Sequence, residues 1–185
     1  MNTRHTLVIG LALVVTAGIA RAQGGHSTTG GSIAIVRGPT LTALVASHDD
    51  LSARFRRLAS AATNPTSTAV ERQAFGRFIR SEVLSRLSTE VSVLYPAFDS
   101  VVGGGYAVPA TLFDLDGISF LTKEVERTAT GNDRVEFVSR AYALSTALET
   151  YFTKTELLVL PVLEERLDLV RLNEVVTSVE RRTIR

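Results

Sequence analysis

The chain has 185 residues, 45% hydrophobic and 21% charged, with 20 basic and 19 acidic side chains and no cysteine. This composition supports one globular core and excludes a disordered chain; the lack of cysteine excludes disulfides, thiolate metal sites, covalent haem and a lipoprotein anchor. The near-neutral balance gives no electrostatic reason to expect nucleic acid or an anionic membrane as partner.

In chain order, Arg4 and His5 precede an apolar run from Leu7 to Ala20, and Ala20-Arg21-Ala22 offers small residues at a cleavage point. Residues 1–22 therefore read as a Sec-type signal peptide, and the mature protein is expected to be periplasmic or secreted. An uncleaved anchor is the alternative, but the run is shorter than the roughly 20 residues of a spanning helix. The Gly, Ser and Thr-rich stretch 23–38 reads as a flexible spacer.

From Pro39, apolar residues at Leu41, Leu44, Val45, Leu51, Phe55 and Leu58, with His48 on the same face, predict a first helix that ends at Asn64-Pro65. A second starts at Thr68, where Glu71 completes a capping box, and carries Phe75, Phe78, Ile79, Val83, Leu87, Val91, Leu94 and Phe98; Pro96 is expected to kink or open it. Gly103 to Gly105 and Pro109 mark the longest connection. A third helix is expected from Thr111 to Ala129, and a fourth from the Asp133 cap to Glu164, bending at Pro161. Residues 168–185 carry an aliphatic stripe, Leu169, Leu172, Val175, Val176 and Val179, that suits a dimer contact or a cover for the end of the assembly. No segment alternates with period two. The expected architecture is all-α: an up-and-down four-helix bundle over residues 39–167 with an additional C-terminal helix at 168–185.

Bundles build sites from polar residues on inward positions. His26 lies in the spacer, leaving His48, which alone is more readily a hydrogen-bonded core residue than a ligand. Arg86 and Glu90 are spaced i, i+4 on a line that continues to Leu94, a pattern that serves a surface ion pair as well as an inward one. Tyr151 and Thr155 hold the matching places on the fourth helix, in line with Leu144, Leu148 and Leu158.

Two segments share one design, Ser85–Phe98 and Thr150–Leu163: each is a helical pattern that runs through an aliphatic-aromatic cluster into a proline. With His48 three residues before Leu51, and Val93-Leu94-Tyr95-Pro96, the chain resembles the hemerythrin-like family of HHE cation-binding domains over residues 41–167. The resemblance implies a four-helix bundle that in the family holds two irons through a His on helices one and three and His-x-x-x-Glu motifs on helices two and four. His48 and Glu90 match that pattern. Arg86 stands at the helix-two His, Leu115 at the helix-three His, Tyr151 at the helix-four His and Thr155 at its Glu, with Glu156 one place over.

A guanidinium, a leucine and a phenol are poor substitutes for iron ligands, so the resemblance implies a descendant that has lost di-iron binding. In that reading Arg86 takes over the metal's electrostatic role, Glu90, His48 and Tyr151 form a hydrogen-bonded cluster, and Leu115 fills the remaining volume. The expected function is a non-enzymatic scaffold, partner-binding or small-ligand module, with no cofactor. The alternative is a working metal protein for iron, oxygen or nitric oxide, with a remodelled site of His48, Glu90 and Glu156, joined by Asp114 or Asp116. No phosphate-binding loop and no G-x-S-x-G nucleophile motif is present, and Met1, the one methionine, leaves with the leader. Partner identity and oligomeric state are not encoded in any motif.

Overall fold

The computed structural model describes residues 39–183, with side chains from 41 to 181. Residues 1–38, on which the expected signal peptide and spacer fall, and the last two residues lie outside the described residues. Within them the chain is all helical, with five helices. Helix α1 spans Pro39–Thr63. Helix α2 covers 69–102 and is continuous through a π turn at Ile79–Val83. Helix α3 spans Ala107–Ala129, α4 covers 134–166 with a π turn at Thr155–Val159, and α5 spans Leu169–Thr183. No helix among the described residues is long and apolar enough to cross a membrane.

Helix ends follow the local chemistry. At the start of α2, Thr68 Oγ1 accepts from the Glu71 amide and the Glu71 carboxylate accepts from the Thr68 amide, satisfying two amides that have no partner inside the helix. Asp133 caps α4 by accepting from the Glu136 amide. Helix α3 begins at Ala107, earlier than Thr111, because Asp99 reaches across from the end of α2 and accepts from the Ala107 and Val108 amides at 2.9 and 3.0 Å. Pro109 then lies inside the first turn of α3, where its missing amide proton costs nothing, instead of in the connection.

Consecutive helices run antiparallel. Arg54 pairs with Glu82 across α1 and α2, Arg80 with Glu126 across α2 and α3, and Lys154 with Asp114 across α3 and α4. Helix α4 returns to α1, where Arg134 Nη2 donates to the Thr63 carbonyl at the end of α1. The core between the helices includes Phe75, Ile79, Val83, Leu87, Val91 and Tyr95 of α2, Ile118 and Val125 of α3, and Leu144, Leu148 and Tyr151 of α4. Helix α5 buries Leu172, Val175, Val176 and Val179 and packs along the flank of α2, also touching α1, so it does not cap an end.

The two prolines act differently from each other, and Pro96 departs from expectation. Pro96 sits inside regular α-helix, and the widened turn of α2 lies more than three turns upstream at Ile79–Val83. At Pro161 the helix is locally widened: the π turn ends at Val159, just before it, and the Leu160 amide bonds five residues back to Thr155. A wider turn there makes room for a ring that would otherwise crowd the carbonyl four residues upstream.

Candidate functional site

Helices α1 and α2 send charged groups to one buried place, and α4 and α5 each reach it with a partly exposed carboxylate. His48 is fully buried on α1, Glu90 is fully buried on α2, and the Arg86 side chain is 3% exposed. His48 Nε2 donates to Glu90 Oε1 at 2.7 Å, and His48 Nδ1 donates to Glu156 Oε1 at 3.3 Å. Arg86 Nε donates to the same Glu90 Oε1 at 2.6 Å, and its Nη2 donates to Glu180 Oε1 on α5 at 3.1 Å. The Tyr151 hydroxyl donates to Glu90 Oε2 at 3.3 Å. The network thus crosses the protein from Glu156 through His48, Glu90 and Arg86 to Glu180.

The protonation pattern follows from the donor inventory. Ionised carboxylates only accept, so for both His48 nitrogens to bond to carboxylates both must carry protons, and the ring is an imidazolium. Burial opposes that charge, yet the Glu90 carboxylate, with the hydrogen bonds to Glu156 and Glu90, outweighs burial and raises His48 to about 9. Burial likewise resists ionisation of Glu90, and the His48 and Arg86 cations overcome it and hold the carboxyl below its ordinary value. Burial and the adjacent Glu90 charge raise Tyr151 well above the usual phenol value, so it stays a donor.

A second, neutral layer lies beside the first. Thr155 is fully buried, donates to the Tyr151 carbonyl at 3.0 Å and accepts from the Tyr95 hydroxyl at 2.9 Å. The Phe152 ring lies 5.2 Å from the His48 ring. Among the described residues no buried polar side-chain atom lacks a partner.

The structure therefore brings together His48, Glu90, Glu156, Arg86, Tyr151 and Thr155. Leu115 is partly buried and packs against the core from α3. Asp114 does not join; it pairs with Lys154 at the surface, and Asp116 is exposed. Sequence reasoning missed Glu180 and Tyr95. Glu180 carries no motif signal, because it reaches Arg86 only through the docking of α5. Glu156, one place off the position that the resemblance implies, reaches His48 from within the π turn Thr155–Val159, in which the neighbouring Thr155 is buried as well.

No protein-family model, curated protein or solved structure matches this chain.

The donor set does not fit the di-iron centre that the family resemblance implies. The carboxylates of Glu90 and Glu156 bind opposite edges of one imidazole, so no single point lies within bonding range of all three donors. Among the described residues no three His, Asp or Glu side chains are placed to hold one ion. Arg86 Nε occupies the Glu90 oxygen that also takes the His48 proton, and a metal there would have to displace both cations.

Two small clefts reach the network from either side of α1. One, of about 170 Å³, lies between α1 and α4 and is lined by Asp49, Phe55, Phe152 and Glu156, among others. The other, of about 180 Å³, lies between α1 and α2 beside Arg86, Arg54 and Ser85. Both are well below the roughly 300 Å³ at which sites for organic ligands begin.

Proposed function

We propose that this chain is an exported, hemerythrin-like four-helix bundle in which a network of ion pairs stands where the family holds iron, and that it serves as a scaffold or partner-binding module without catalytic chemistry. The observation that carries the reading is the His48 imidazolium held between Glu90 and Glu156, with the Arg86 guanidinium on the same Glu90 oxygen. Two internal cations supply the charge that a metal would supply, and they satisfy the carboxylate the family resemblance leaves behind. The antiparallel order of α1 to α4 supports the bundle assignment. The size of these two clefts argues against an organic ligand enclosed at the ion-pair network itself.

Elemental analysis tests this reading. Protein purified without chelator, and the same protein soaked in ferrous iron and desalted, should both contain transition metal far below one atom per chain. Stoichiometric iron or another transition metal in either sample would overturn the proposal and make His48 and Glu90 ligands.

A further inference from the structure

The outward face of α3 is apolar where a solvated helix face is normally polar. Tyr106, Phe113 and Phe120 are 81%, 80% and 58% exposed. They recur every seventh residue, on the side of α3 opposite the buried Thr111, Ile118, Thr122 and Val125, and Gly117 lies between the two phenylalanines. Leu112, 46% exposed, flanks the stripe. Leu157 and Leu158, about one turn beyond the Lys154 that pairs with Asp114, are 58% and 60% exposed.

Gly117 is unexplained by its own chain. A Cβ built there would meet nothing within 4 Å, whereas one at Gly76 would lie 2.8 Å from Glu126 Cγ, so packing of α2 on α3 accounts for Gly76 alone. Glycine in mid-helix weakens the helix relative to alanine, and close approach of another backbone is a physical reason to keep it.

We propose that this stripe is a homodimer interface in which α3 packs antiparallel on α3 of a second copy, about a two-fold axis beside Gly117. The spacing is self-complementary: an axis between Asp116 and Gly117 sets Phe113 against Phe120 of the second copy, and Tyr106 against its Arg127. The Arg127 side chain, 55% exposed and paired with Glu124 and Glu136, can present its guanidinium face to the Tyr106 ring while it keeps those carboxylates. The missing side chain at Gly117 lets the two backbones close at the crossing point.

The three aromatics and Leu112 present roughly 500 Å² of apolar surface per copy, taking about 200 Å² for a whole aromatic side chain. That lies in the upper part of the roughly 300–600 Å² range of a monomer's largest apolar patch, which is often a functional surface, and two copies reach the roughly 1,000 Å² total at which a specific interface begins. The rim mixes Asp114, Asp116 and Glu124 with Lys123, Arg127 and Lys154, so it offers no net positive ring for an anionic lipid surface. The nearest like charges are the two Asp116 side chains, and added salt should tighten the dimer.

Sedimentation equilibrium on the protein in the form recovered after export, from about 1 to about 200 µM, should show a monomer–dimer equilibrium. Phe113→Glu with Phe120→Glu should leave a monomer of unchanged helicity. Gly117→Leu should weaken the dimer by about tenfold or more without lowering Tm. Because the chain has no cysteine, Gly117→Cys also reports directly: it should form a disulfide dimer faster than Val135→Cys, whose position is 81% exposed outside the stripe. A monomer at the highest concentration, a dimer indifferent to the two glutamates, or equal cross-linking at the two cysteines would overturn the proposal. So would a monomer that sediments with phosphatidylglycerol vesicles, which would assign the stripe to lipid. None of these readouts depends on metal, so this interface can fail while the ion-pair reading stands.

Discussion

Stability should fall as pH rises through neutrality, because His48 is folded as an imidazolium and unfolds to an ordinary histidine. Its pKa rises from 6.5 to about 9 on folding. A group raised on folding contributes its stabilisation fully below its unfolded value and loses it as pH climbs to the folded value, so the window is pH 6.5 to about 9. Each pKa unit is worth about 1.4 kcal/mol, which gives a loss of about 3 kcal/mol across that window. His48 is fully buried, so solvent screening does not reduce the figure. Glu90, held below its ordinary 4.5, acts in the opposite sense: its contribution is present above that pH and is lost as pH falls through the folded value. The stability profile should therefore have its plateau between about 4.5 and 6.5. Urea unfolding at half-unit pH steps measures the profile, and the His48 ring proton shifts in NMR report its titration independently. His48→Gln should flatten the alkaline limb. A His48 that titrates near 6.5, or a stability change under about 0.5 kcal/mol across the window, would refute the imidazolium assignment.

Arg86→Ala strands the buried Glu90 with one cation fewer and should cost about 3–5 kcal/mol in denaturant unfolding, whereas Arg171→Ala, at a surface pair, should cost under about 0.5 kcal/mol. A loss below about 0.5 kcal/mol at Arg86 would remove its role as counter-charge. Tyr151→Phe deletes the hydroxyl that donates to Glu90 Oε2 and should cost about 1 kcal/mol; an unchanged urea midpoint would show that bond to be idle. Thr68→Ala removes the capping box of α2 and should also cost about 1 kcal/mol, read as a lower Tm with the folded-state spectrum unchanged.

The helices were legible because their signals are local. Thr68 with Glu71 and Asp133 with Glu136 mark two starts by hydrogen bonds that span three residues, and Gly103 to Gly105 all adopt the positive φ that makes them a break. The early start of α3 was not legible, because its cap is Asp99 from another helix. The π turns left a trace that a search for a 3.6-residue period passes over. Phe75, Ile79, Val83, Leu87, Val91 and Tyr95 recur every fourth residue, as do Tyr151, Thr155, Val159 and Leu163, and all are buried. A straight α-helix drifts about 40° per such step, so a stripe this long needs an inserted residue to stay inward, and the π turns supply it.

The sequence by itself determined the helical class, most helix limits and the i, i+4 line of Arg86 and Glu90, since periodicity and capping act within a few residues. It left open whether that line faced the core or solvent, because both environments tolerate an i, i+4 ion pair. Only the tertiary structure decided that Glu90 is shared by His48, Arg86 and Tyr151, that Glu156 reaches His48 from a widened turn, and that Glu180 closes the network from α5. Apart from the Arg86–Glu90 pair, four residues apart, those contacts join residues 42 to 108 positions apart, and their strength comes from water excluded by helices whose docking no local pattern records.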